Sequence, residues 1–460
     1  MNKNILTSMV GKTPLVRATG LEKALGISEI YLKLEGNNPS GQRIDRLAYL
    51  LLKDAVSKGK ETICIGSHLP LARSLALISS QFNINCVFIF PENIKASTDK
   101  VFRKDNIKII EYGRTVMDSS HYSSKLCEKN DWFNGNLGIE NNILNMTAIA
   151  SIAEEIYTQL NCEIDSVFSL LSYGFSVSGL DLGFRQLWVD NKISQLPQLY
   201  SCTTSINNPL YEAYQHNDKK ITLQSKGKTK TIVTKYNKHL LNFNEITAQD
   251  ALNSIYAVNG KLTGVEGKEL IKNLRKFLEV ENIKFSIENG YAIAGFMKEV
   301  DKRNIKNGTH VILLNDGRID VEVRRIERHE TELSIDEIAN YIQHWLMEFS
   351  DPIYEIKEAL EKAFCNGYVL MAYYNNQLVG ISVIVNTGFN SFIPSYHLGY
   401  IGTRRSIKGR GIATQLLNKA VELTKGNLSL HVDRNNSRAI KLYEKMGFAK
   451  SYLRMIHKTR

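Results

Sequence analysis

The chain has 460 residues and an ordinary globular composition, 43% hydrophobic and 23% charged, which corresponds to about three domain-sized units. It has no run of about 18 apolar residues and no apolar signal core after Met1, so we expect neither a membrane span nor a secretion signal. The net charge is +11, but the lysines and arginines are dispersed and form no basic block with interleaved aromatics. We therefore expect no nucleic-acid partner.

The six cysteines are scattered along the chain and include no C-x-x-C pair. This spacing argues against a disulfide framework and against a zinc site. It favours a reducing compartment, so we expect a cytoplasmic protein without a bound metal.

Residues 1 to about 318 alternate between short, apolar, β-rich runs and helical runs. The predicted strands are Ile30–Leu34, Thr62–Ile65, Cys86–Phe90, Ile107–Tyr112, Asp165–Leu171 and His310–Leu314. The predicted helices cover about 46–58, 72–81 and 96–104. Such alternation indicates a parallel α/β sheet, in which ligands bind beyond the carboxyl ends of the strands.

Three motifs near the start of the chain carry a resemblance to a known family. They are Gly11-Lys-Thr-Pro-Leu-Val16, Lys33-Leu-Glu-Gly-Asn-Asn-Pro-Ser-Gly41 and Asp45-Arg46. The stretch resembles the pyridoxal-phosphate (PLP) enzymes of the threonine synthase and cysteine synthase family. The similarity continues through Ala153–Ile156, Gly174, Gly179 and Gly183-Phe184 to about Asn315–Gly317. The resemblance implies a tryptophan synthase beta-like α/β fold of two lobes, with PLP held between them.

The position of the family's Schiff-base lysine is the first departure from that pattern. Just before Asp45-Arg46, where the family has the lysine, this chain has Ile44. Without an amine there is no covalent hold on PLP. The neighbouring Arg43 cannot replace the lysine, because a guanidinium is not deprotonated to a nucleophile. We therefore expect this chain not to use PLP.

Two loops that would contact PLP also depart from the family. The family's Ser-x-Gly-Asn loop corresponds to Ser67-His-Leu-Pro70, whose leucine and proline offer no side-chain donor. The family's Gly-rich phosphate loop corresponds to Ser172-Tyr-Gly-Phe-Ser176, in which only Gly174 is retained and Phe175 would crowd a phosphate. These losses favour a catalytically inactive relative of a PLP enzyme.

The inactive part has two interpretations that the sequence leaves open. It is either a retained scaffold or a binding domain whose cleft holds an amino acid or presents a substrate. Arg43 and His68 lie at the expected cleft, and each is a candidate for contact with a carboxylate.

Residues from 319 onward follow the order β, α, α, β, β, β, Gly-rich loop, α, β, α. The predicted strands are Ile319–Ile326, Tyr368–Tyr374, Gln377–Val385, His397–Thr403 and Leu428–Val432. A helix is predicted to begin at Ser334, with Glu337 as its capping-box partner, and the next begins at Asp351. No linker rich in Pro, Gly or Ser precedes this part, so we expect the two parts to be joined tightly.

The Gly-rich loop is predicted to bind a pyrophosphate. It consists of Lys408, Gly409, Arg410, Gly411, Ile412 and Ala413 and leads into an amphipathic helix. The first turn of a helix has backbone N–H groups without partners and the positive end of the helix dipole, and together these attract phosphate oxygens. The two glycines let an anion approach the backbone closely.

This part resembles the GCN5-related N-acetyltransferase (GNAT) superfamily. The matching motifs are Lys408-x-x-Gly411-x-Ala413, where Lys408 replaces the usual Arg or Gln, and the stretch from Asn436 to Phe448. The resemblance implies that the backbone from Gly409 to Ala413 holds the pyrophosphate of acetyl-CoA. It also implies that Thr403 ends the strand that pairs with the pantetheine arm, and that Asn436 contacts this arm.

The resemblance gives Tyr443 the role of the general acid that protonates the leaving thiolate. A phenol with a pKa of about 10 suits this role, because it stays protonated at neutral pH. The general base is left open among His397, Tyr400 and an ordered water, since the central strand carries no carboxylate.

The sequence thus predicts a mixed α/β GNAT domain at 319–460 fused to a PLP-enzyme-like domain at 1–318. We expect an acetyl-CoA-dependent N-acyltransferase that acts on a small amine or amino acid. The alternatives are an amino-acid-regulated protein lysine acetyltransferase and a non-catalytic scaffold in a biosynthetic complex. Proteins with the PLP-enzyme fold often dimerise, so a homodimer is allowed by analogy.

Overall fold

The computed structural model describes residues 10–66, 68–94, 99–138, 141–171, 174–221, 236–237, 240, 245–319, 321–374, 376–405 and 411–451. The chain forms two compact units, one of residues Val10–Arg318 and one that begins at Ile319. None of the helices in these ranges is long and apolar enough to cross a membrane. The same ranges hold no group of three or more His, Cys, Asp or Glu side chains that could bind a metal ion.

The first unit contains two main sheets. One has six strands: β1 (Leu15–Arg17), β2 (Ile30–Leu34), β7 (Ser166–Leu170), β8 (Gln198–Thr204), β9 (Lys261–Val265) and β11 (His310–Leu314). Their order is β1-β2-β11-β7-β8-β9, with β1 antiparallel to β2 and the other neighbours parallel. The other sheet is parallel and has four strands: β3 (Thr62–Gly66), β4 (Asn85–Phe90), β5 (Ile107–Glu111) and β6 (Phe133–Asn134), in the order β5-β4-β3-β6. Two short strands are β10 (Ile283–Lys284) and β12 (Arg318–Ile319).

Helices connect these strands and give each sheet its own core. They are α1 (Thr19–Leu25), α2 (Asp45–Ser57), α3 (Leu69–Ile78), α4 (Val116–Asn130), α5 (Asn142–Leu160), α6 (Phe175–Val189), α7 (Pro209–Gln215), α8 (Glu245–Ala257), α9 (Gly267–Val280) and α10 (Tyr291–Asp301). Residues of α5 and α6 form a buried cluster with β7 and β11, and residues of α2 and α3 form another with β3 and β4. The predicted two-lobed α/β fold is thereby confirmed.

Two glycines of the family pattern explain the close packing of α5 on α6. A Cβ at Gly179 would lie 2.6 Å from the Cβ of Ile149, and one at Gly183 would lie 2.4 Å from the carbonyl oxygen of Ala150. Contacts this short leave no space for a side chain, so both positions need glycine.

The helix predicted over 96–104 is wrong for the residues that the structure describes there. Lys100–Phe102 forms a single 3-10 turn, and Asp99 accepts a hydrogen bond from the Val101 amide to start it. The chain then reaches β5 at Ile107, which leaves no length for an α-helix. Residues 96–98 lie outside the described residues.

The motifs that resemble the PLP enzymes meet in one buried ionic cluster. Arg46 bonds through Nε to Glu35 Oε2 at 2.7 Å and through Nη1 to Glu155 Oε1 at 2.7 Å, and Lys33 Nζ bonds to Glu155 Oε2 at 2.8 Å. Thr13 Oγ1 donates to Glu35 Oε1 at 2.6 Å. Burial would raise the pKa of Glu155, but the hydrogen bonds and charge of Arg46, with those of Lys33, lower it to about 2. These motif residues therefore have a structural role that does not need a cofactor.

The second unit is built on a five-stranded sheet. Its strands are β13 (Glu322–Arg325), β14 (Tyr368–Tyr374), β15 (Gln377–Asn386), β16 (Tyr396–Thr403) and β17 (Leu428–Leu430), in chain order across the sheet. All neighbours are antiparallel except β16 and β17, which are parallel. The helices are α11 (Ile335–Leu346), α12 (Ile353–Asn366), α13 (Ile412–Leu423) and α14 (Ser437–Lys445). This arrangement confirms the predicted mixed α/β class.

Helices cover both faces of this sheet. Ile381 of β15 packs into a core cluster with residues of α11 and α12. On the opposite face, a Cβ at the adjacent Gly380 would lie 2.9 Å from Leu416 and 3.0 Å from Ile412, both on α13. The sheet thus separates α13 from the pair α11 and α12.

The predicted helix cap in the second unit is confirmed, but the bounds of two predicted strands differ from those in the structure. Ser334 caps α11 and forms the predicted capping box with Glu337. The strand predicted over Ile319–Ile326 is divided into β12 and β13, because the chain turns at Val321, whose amide donates to the carbonyl oxygen of Ile319. The strand predicted over Leu428–Val432 ends at Leu430, where its pairing with β16 ends.

Candidate functional site

The two parallel strands β16 and β17 separate part-way along their length. They pair at Tyr396, His397 and Leu398 only. Immediately afterwards Gly399 forms a bulge, because Ile384 of β15 pairs with Leu398 while Val383 pairs with Tyr400. From Gly399 to the end of β16, the edge of the strand that faces away from β15 has no partner strand among the described residues. This edge can therefore form hydrogen bonds with an extended ligand that carries amide groups.

Thr403 ends β16 at that open edge, as the sequence predicts. It lies opposite Gly380 in the register with β15 and is half-buried. The loop that follows leads to α13. Lys408, Gly409 and Arg410, which were predicted to bind the cofactor, lie outside the described residues, so their places in the site stay predictions.

Gly411, Ile412 and Ala413 form the start of α13. Gly411 is the residue before the helix and adopts a left-handed conformation with φ 78°, and it provides no side-chain cap for the first amides. The Ile412 side chain is buried against the sheet, so only its backbone can face a ligand. The start of α13 thus has the glycine geometry and the uncapped donors that a phosphate site needs.

Asn436 and Tyr443 belong to α14. Asn436 caps this helix, because its Oδ1 accepts a 3.0 Å hydrogen bond from the Ala439 amide. The half-buried ring of Tyr443 packs edge-to-face on Phe448, with 6.0 Å between ring centroids. Burial raises the pKa of Tyr443 to about 12, so its phenol is protonated at neutral pH. The cap therefore positions the helix that carries the candidate acid.

His397 is the middle residue of the paired part of β16, where the structure brings together residues that the sequence patterns do not connect. Its Nδ1 is 3.0 Å from Ser429 Oγ, and its ring centroid is 4.5 Å from that of His431. Ser429 is the direct register partner of His397. The contact depends on the parallel register of β16 and β17, which local sequence patterns do not encode.

Tyr400, the other candidate base, is part of a pair that sequence reasoning missed. It is the first residue past the Gly399 bulge, it is 8% exposed, and its phenol donates to Asp351 Oδ2 at 2.9 Å. Burial, and then the hydrogen bond and charge of Asp351, raise the pKa of Tyr400 far above its usual range. Tyr400 is therefore unsuited as a base at neutral pH. The only local signal was the Asp351-Pro352 helix start, which indicates a cap rather than a partner for Tyr400.

The first unit has a second candidate site at the N-terminus of α6. Arg43 Nη1 donates to Ser176 Oγ at 2.9 Å, and the Arg43 amide donates to the carbonyl oxygen of Asn315. Ile44 precedes α2 and packs against the core of the four-stranded sheet. Ser67, Ser172 and Tyr173 of the two degenerate loops lie outside the described residues.

His68 and Lys33 are both occupied by structural contacts. His68 caps α3, because its Nδ1 accepts from the Leu71 amide at 3.1 Å, and burial lowers the pKa of His68 to about 4. A neutral imidazole used in this way is unsuited to the predicted carboxylate contact. Lys33 Nζ donates to Thr13 O, Glu155 Oε2 and Gln159 Oε1 at 2.8–2.9 Å, so all three of its hydrogens are used.

Comparison with known proteins identifies the families of both units. Residues 6–317 match the family model described as pyridoxal-phosphate dependent enzyme, and residues 335–448 match the model of the acetyltransferase (GNAT) family. The threonine synthase of Methanocaldococcus jannaschii is 25% identical over 317 residues, which cover 68% of this chain and 76% of the relative. The threonine synthase of Methanosarcina acetivorans is 22% identical over the same shares of the two chains.

Solved structures show the fold of the first unit. The processed form of threonine deaminase isoform 2 from Solanum lycopersicum matches with a TM-score of 0.53 at 16% identity, covering 68% of this chain and 86% of that one. An L-serine ammonia-lyase from Rhizomucor miehei matches with a TM-score of 0.51 at 17% identity, covering 67% and 94%. The chain belongs to the family of pyridoxal-phosphate dependent enzymes and carries an acetyltransferase (GNAT) family domain in its C-terminal part.

Proposed function

We propose that the protein is an acetyl-CoA-dependent N-acyltransferase that acetylates a small, amino-acid-like amine. The GNAT family domain supports acetyltransferase activity in general. The observation that carries the proposal is the open edge of β16 from Gly399 to Thr403, followed by the uncapped start of α13 at Gly411. A strand edge and a helix N-terminus provide hydrogen bonds for the two chemically different parts of acetyl-CoA, the amide-bearing arm and the pyrophosphate.

The proposed binding residues follow from this arrangement. The backbone at Thr403 bonds to the pantetheine arm. The N–H groups from Gly409 to Ala413 hold the pyrophosphate, with added charge from Lys408 and Arg410, and Asn436 contacts the arm from the start of α14.

The proposed chemistry uses an acid and a base on separate elements. The acceptor nitrogen loses a proton to the base and forms a bond to the acetyl carbon, and the bond from that carbon to sulfur then breaks. Tyr443 gives its phenolic proton to the leaving thiolate. Three bases remain in consideration: His397 on β16, an ordered water, and Asp351, an exposed residue whose carboxylate accepts a hydrogen bond from Tyr400.

We further propose that the family's PLP chemistry is absent from residues 1–318 and that the acetyltransferase occupies 319–460. The residues present do not fit a covalently held PLP. Ile44 has no amine, and the buried Lys33 has all three hydrogens in use. The free state of all six cysteines supports a cytoplasmic location. A protein-bound PLP absorbance band in the purified protein would contradict this part of the proposal.

Turnover of acetyl-CoA with a panel of small amines tests the acetyltransferase. We expect release of the free thiol with at least one amine, and Tyr443→Phe should lower kcat by about 10²–10⁴-fold. Tyr354→Phe is the matched control, since Tyr354 is an exposed tyrosine on α12. Absence of both turnover and acetyl-CoA binding would overturn the proposal. Turnover that survives Tyr443→Phe unchanged would require a different acid.

A further inference from the structure

The exposed face of α9 lines a cavity in the first unit. The cavity has a volume of about 830 Å³, which is within the range of small-molecule sites. The rest of its lining includes Thr204 at the end of β8, Ile206 just after it, and Tyr236 from the stretch between α7 and α8. Other parts of the chain therefore bound the outer face of this helix, which is not simply a solvated surface.

Four basic side chains of α9 line this cavity: Lys268, Lys272, Arg275 and Lys276. All four are exposed, on the side of the helix away from its buried residues. The three lysines follow one another at intervals of four residues, a spacing at which like charges destabilise a helix. An anionic ligand in the cavity would offset this repulsion.

None of these four cations lies within ion-pair distance of a carboxylate in the part of the chain that the structure describes. Two acidic side chains, Glu266 and Glu279, also line the cavity, so positive charges outnumber negative ones there by four to two. Glu269, in the first turn of α9, is already bonded to Lys298 Nζ at 2.8 Å. The cavity lining is thus short of negative charge.

The stretch that supplies Tyr236 has no carboxylate to offer these cations. Residues 219–244 include seven lysines and no aspartate or glutamate. The composition of this stretch therefore adds positive charge and no counter-charge, and both it and α9 favour an anionic ligand.

The spacing of the cations and the apolar part of the lining indicate which kind of anion fits. Lys268 and Lys276 are eight residues apart in the sequence, which is about 12 Å along a helix axis. A ligand with several phosphate groups can contact more of this row than a single oxyanion can. Ile206, Ile271 and Tyr236 provide apolar and aromatic surface, which suits a flat heterocycle.

We propose that this cavity binds a nucleoside polyphosphate, with the phosphates along the row of cations on α9 and the base on the apolar part of the lining. The lysines and Arg275 donate charge-assisted hydrogen bonds to the phosphate oxygens. The volume of the cavity favours a small molecule of this kind over a nucleic-acid strand. Binding here does not depend on the proposed acetyltransferase function, whose acetyl-CoA site is in the second unit.

Titration calorimetry of the full-length protein in phosphate-free buffer, with ATP as the probe, tests the site. We expect ATP to bind saturably and at least about tenfold more tightly than either of two partial probes. Tripolyphosphate has the phosphates without the base, and adenosine has the base without the phosphates.

The double variant Lys272→Gln/Arg275→Gln should raise the dissociation constant of ATP by about tenfold or more, because it removes two central cations of the row. Both side chains are exposed, so the variant should fold. The matched control is Lys58→Gln/Arg185→Gln, which removes the same charge from two exposed cations of the first unit that have carboxylate partners. The control should change the affinity by less than about twofold.

A second control separates this cavity from the proposed acetyl-CoA site at the start of α13. Gly411→Ala should leave the dissociation constant of ATP within about twofold of the wild-type value, because the substitution is in the other unit. If it weakens ATP binding while the double variant on α9 does not, ATP binds in the second unit and the proposal is wrong.

Three further results would overturn the proposal. The first is that ATP does not bind saturably to the wild-type protein. The second is that tripolyphosphate or adenosine binds as tightly as ATP. The third is that Lys272→Gln/Arg275→Gln binds ATP as tightly as its control variant.

Discussion

Tyr400 donates a 2.9 Å hydrogen bond to Asp351 and so joins the bulged part of β16 to the connection between α11 and α12. Tyr400 is buried while Asp351 is exposed. One carboxylate oxygen, Oδ2, thus accepts the phenol's hydrogen bond, while the residue as a whole is exposed to solvent. A carboxylate held in this way can bind an ammonium group and accept its proton.

Asp351→Asn is the first prediction. We expect it to lower kcat/KM for the acceptor amine by about 10²–10⁴-fold, because an amide cannot accept the proton. Tyr400→Phe should have a smaller effect, since it leaves the carboxylate in place and removes only its support. Acetylation rates at varied amine concentration provide both values.

The control for this prediction is Glu348→Gln. Glu348 is an exposed carboxylate on the same connection, 3.9 Å from Arg405, and its removal should leave kcat/KM within about twofold. If Asp351→Asn has full activity and His397→Gln loses it, the base is His397 and the Asp351 assignment is wrong.

The two ends of α13 allow a matched test of the proposed acetyl-CoA site. Gly411 before the helix and Gly426 after it have nearly equal left-handed conformations, with φ 78° and 79°. Substitution of either by alanine should lower the free energy of unfolding by about 1–2 kcal/mol, because a Cβ is strained in this region. Only Gly411→Ala should also weaken acetyl-CoA binding, by about tenfold or more, since it places the Cβ where the anion approaches.

Chemical denaturation and acetyl-CoA titration of both variants provide the measurements. A Cβ at Gly426 would have no atom within 4 Å, so its effect comes from backbone strain alone. Equal acetyl-CoA affinity in the two variants would mean that the start of α13 is not the pyrophosphate site.

Local patterns in the sequence were sufficient for most strands but not for the sites. Ile30–Leu34 is a strand with the predicted bounds, because Ile30, Leu32 and Leu34 alternate along it and are all buried on one face of the sheet. The pairs Tyr400–Asp351 and Arg43–Ser176 join residues 49 and 133 positions apart. They depend on the Gly399 bulge and on the packing of whole lobes, which no short window of sequence contains. Single-sequence reasoning therefore found the elements and several of their ends, while the partners of site residues required the tertiary structure.

Because Glu155 belongs to the buried ionic cluster of the first unit, we expect its substitution to lower the free energy of unfolding strongly. Its carboxylate accepts from Arg46, Lys33 and the amides of Lys12 and Thr13. Glu155→Gln leaves two buried cations without this counter-charge, so the free energy of unfolding should fall by about 3–5 kcal/mol.

Denaturant unfolding of the purified variants measures this difference. The control is Glu154→Gln at the adjacent, exposed position, which should change stability by less than about 0.5 kcal/mol. If the two variants differ by less than that amount, the cluster does not stabilise the unit.

His68 predicts a pH dependence of stability with a defined sign. Its Nδ1 must be unprotonated to accept the Leu71 amide at the start of α3, and burial lowers the pKa of His68 to about 4. In the unfolded chain the pKa is about 6.5, so the unfolded state takes up the proton first as the pH falls. The contribution of the neutral His68 cap to the free energy of unfolding is complete above about pH 6.5. It decreases continuously as the pH falls toward 4.

His68→Asn isolates this contribution, because asparagine is a good helix cap but does not titrate. Between pH 7.5 and 5, the wild type should lose about 1–2 kcal/mol more unfolding free energy than the variant. Burial also lowers the pKa of His310, but that residue is present in both proteins and its effect cancels in the difference. Glu155, with its pKa lowered to about 2, titrates below this window. Parallel pH profiles of the two proteins would show that His68 is not the titrating cap, and the acid sensitivity would then have to come from another group.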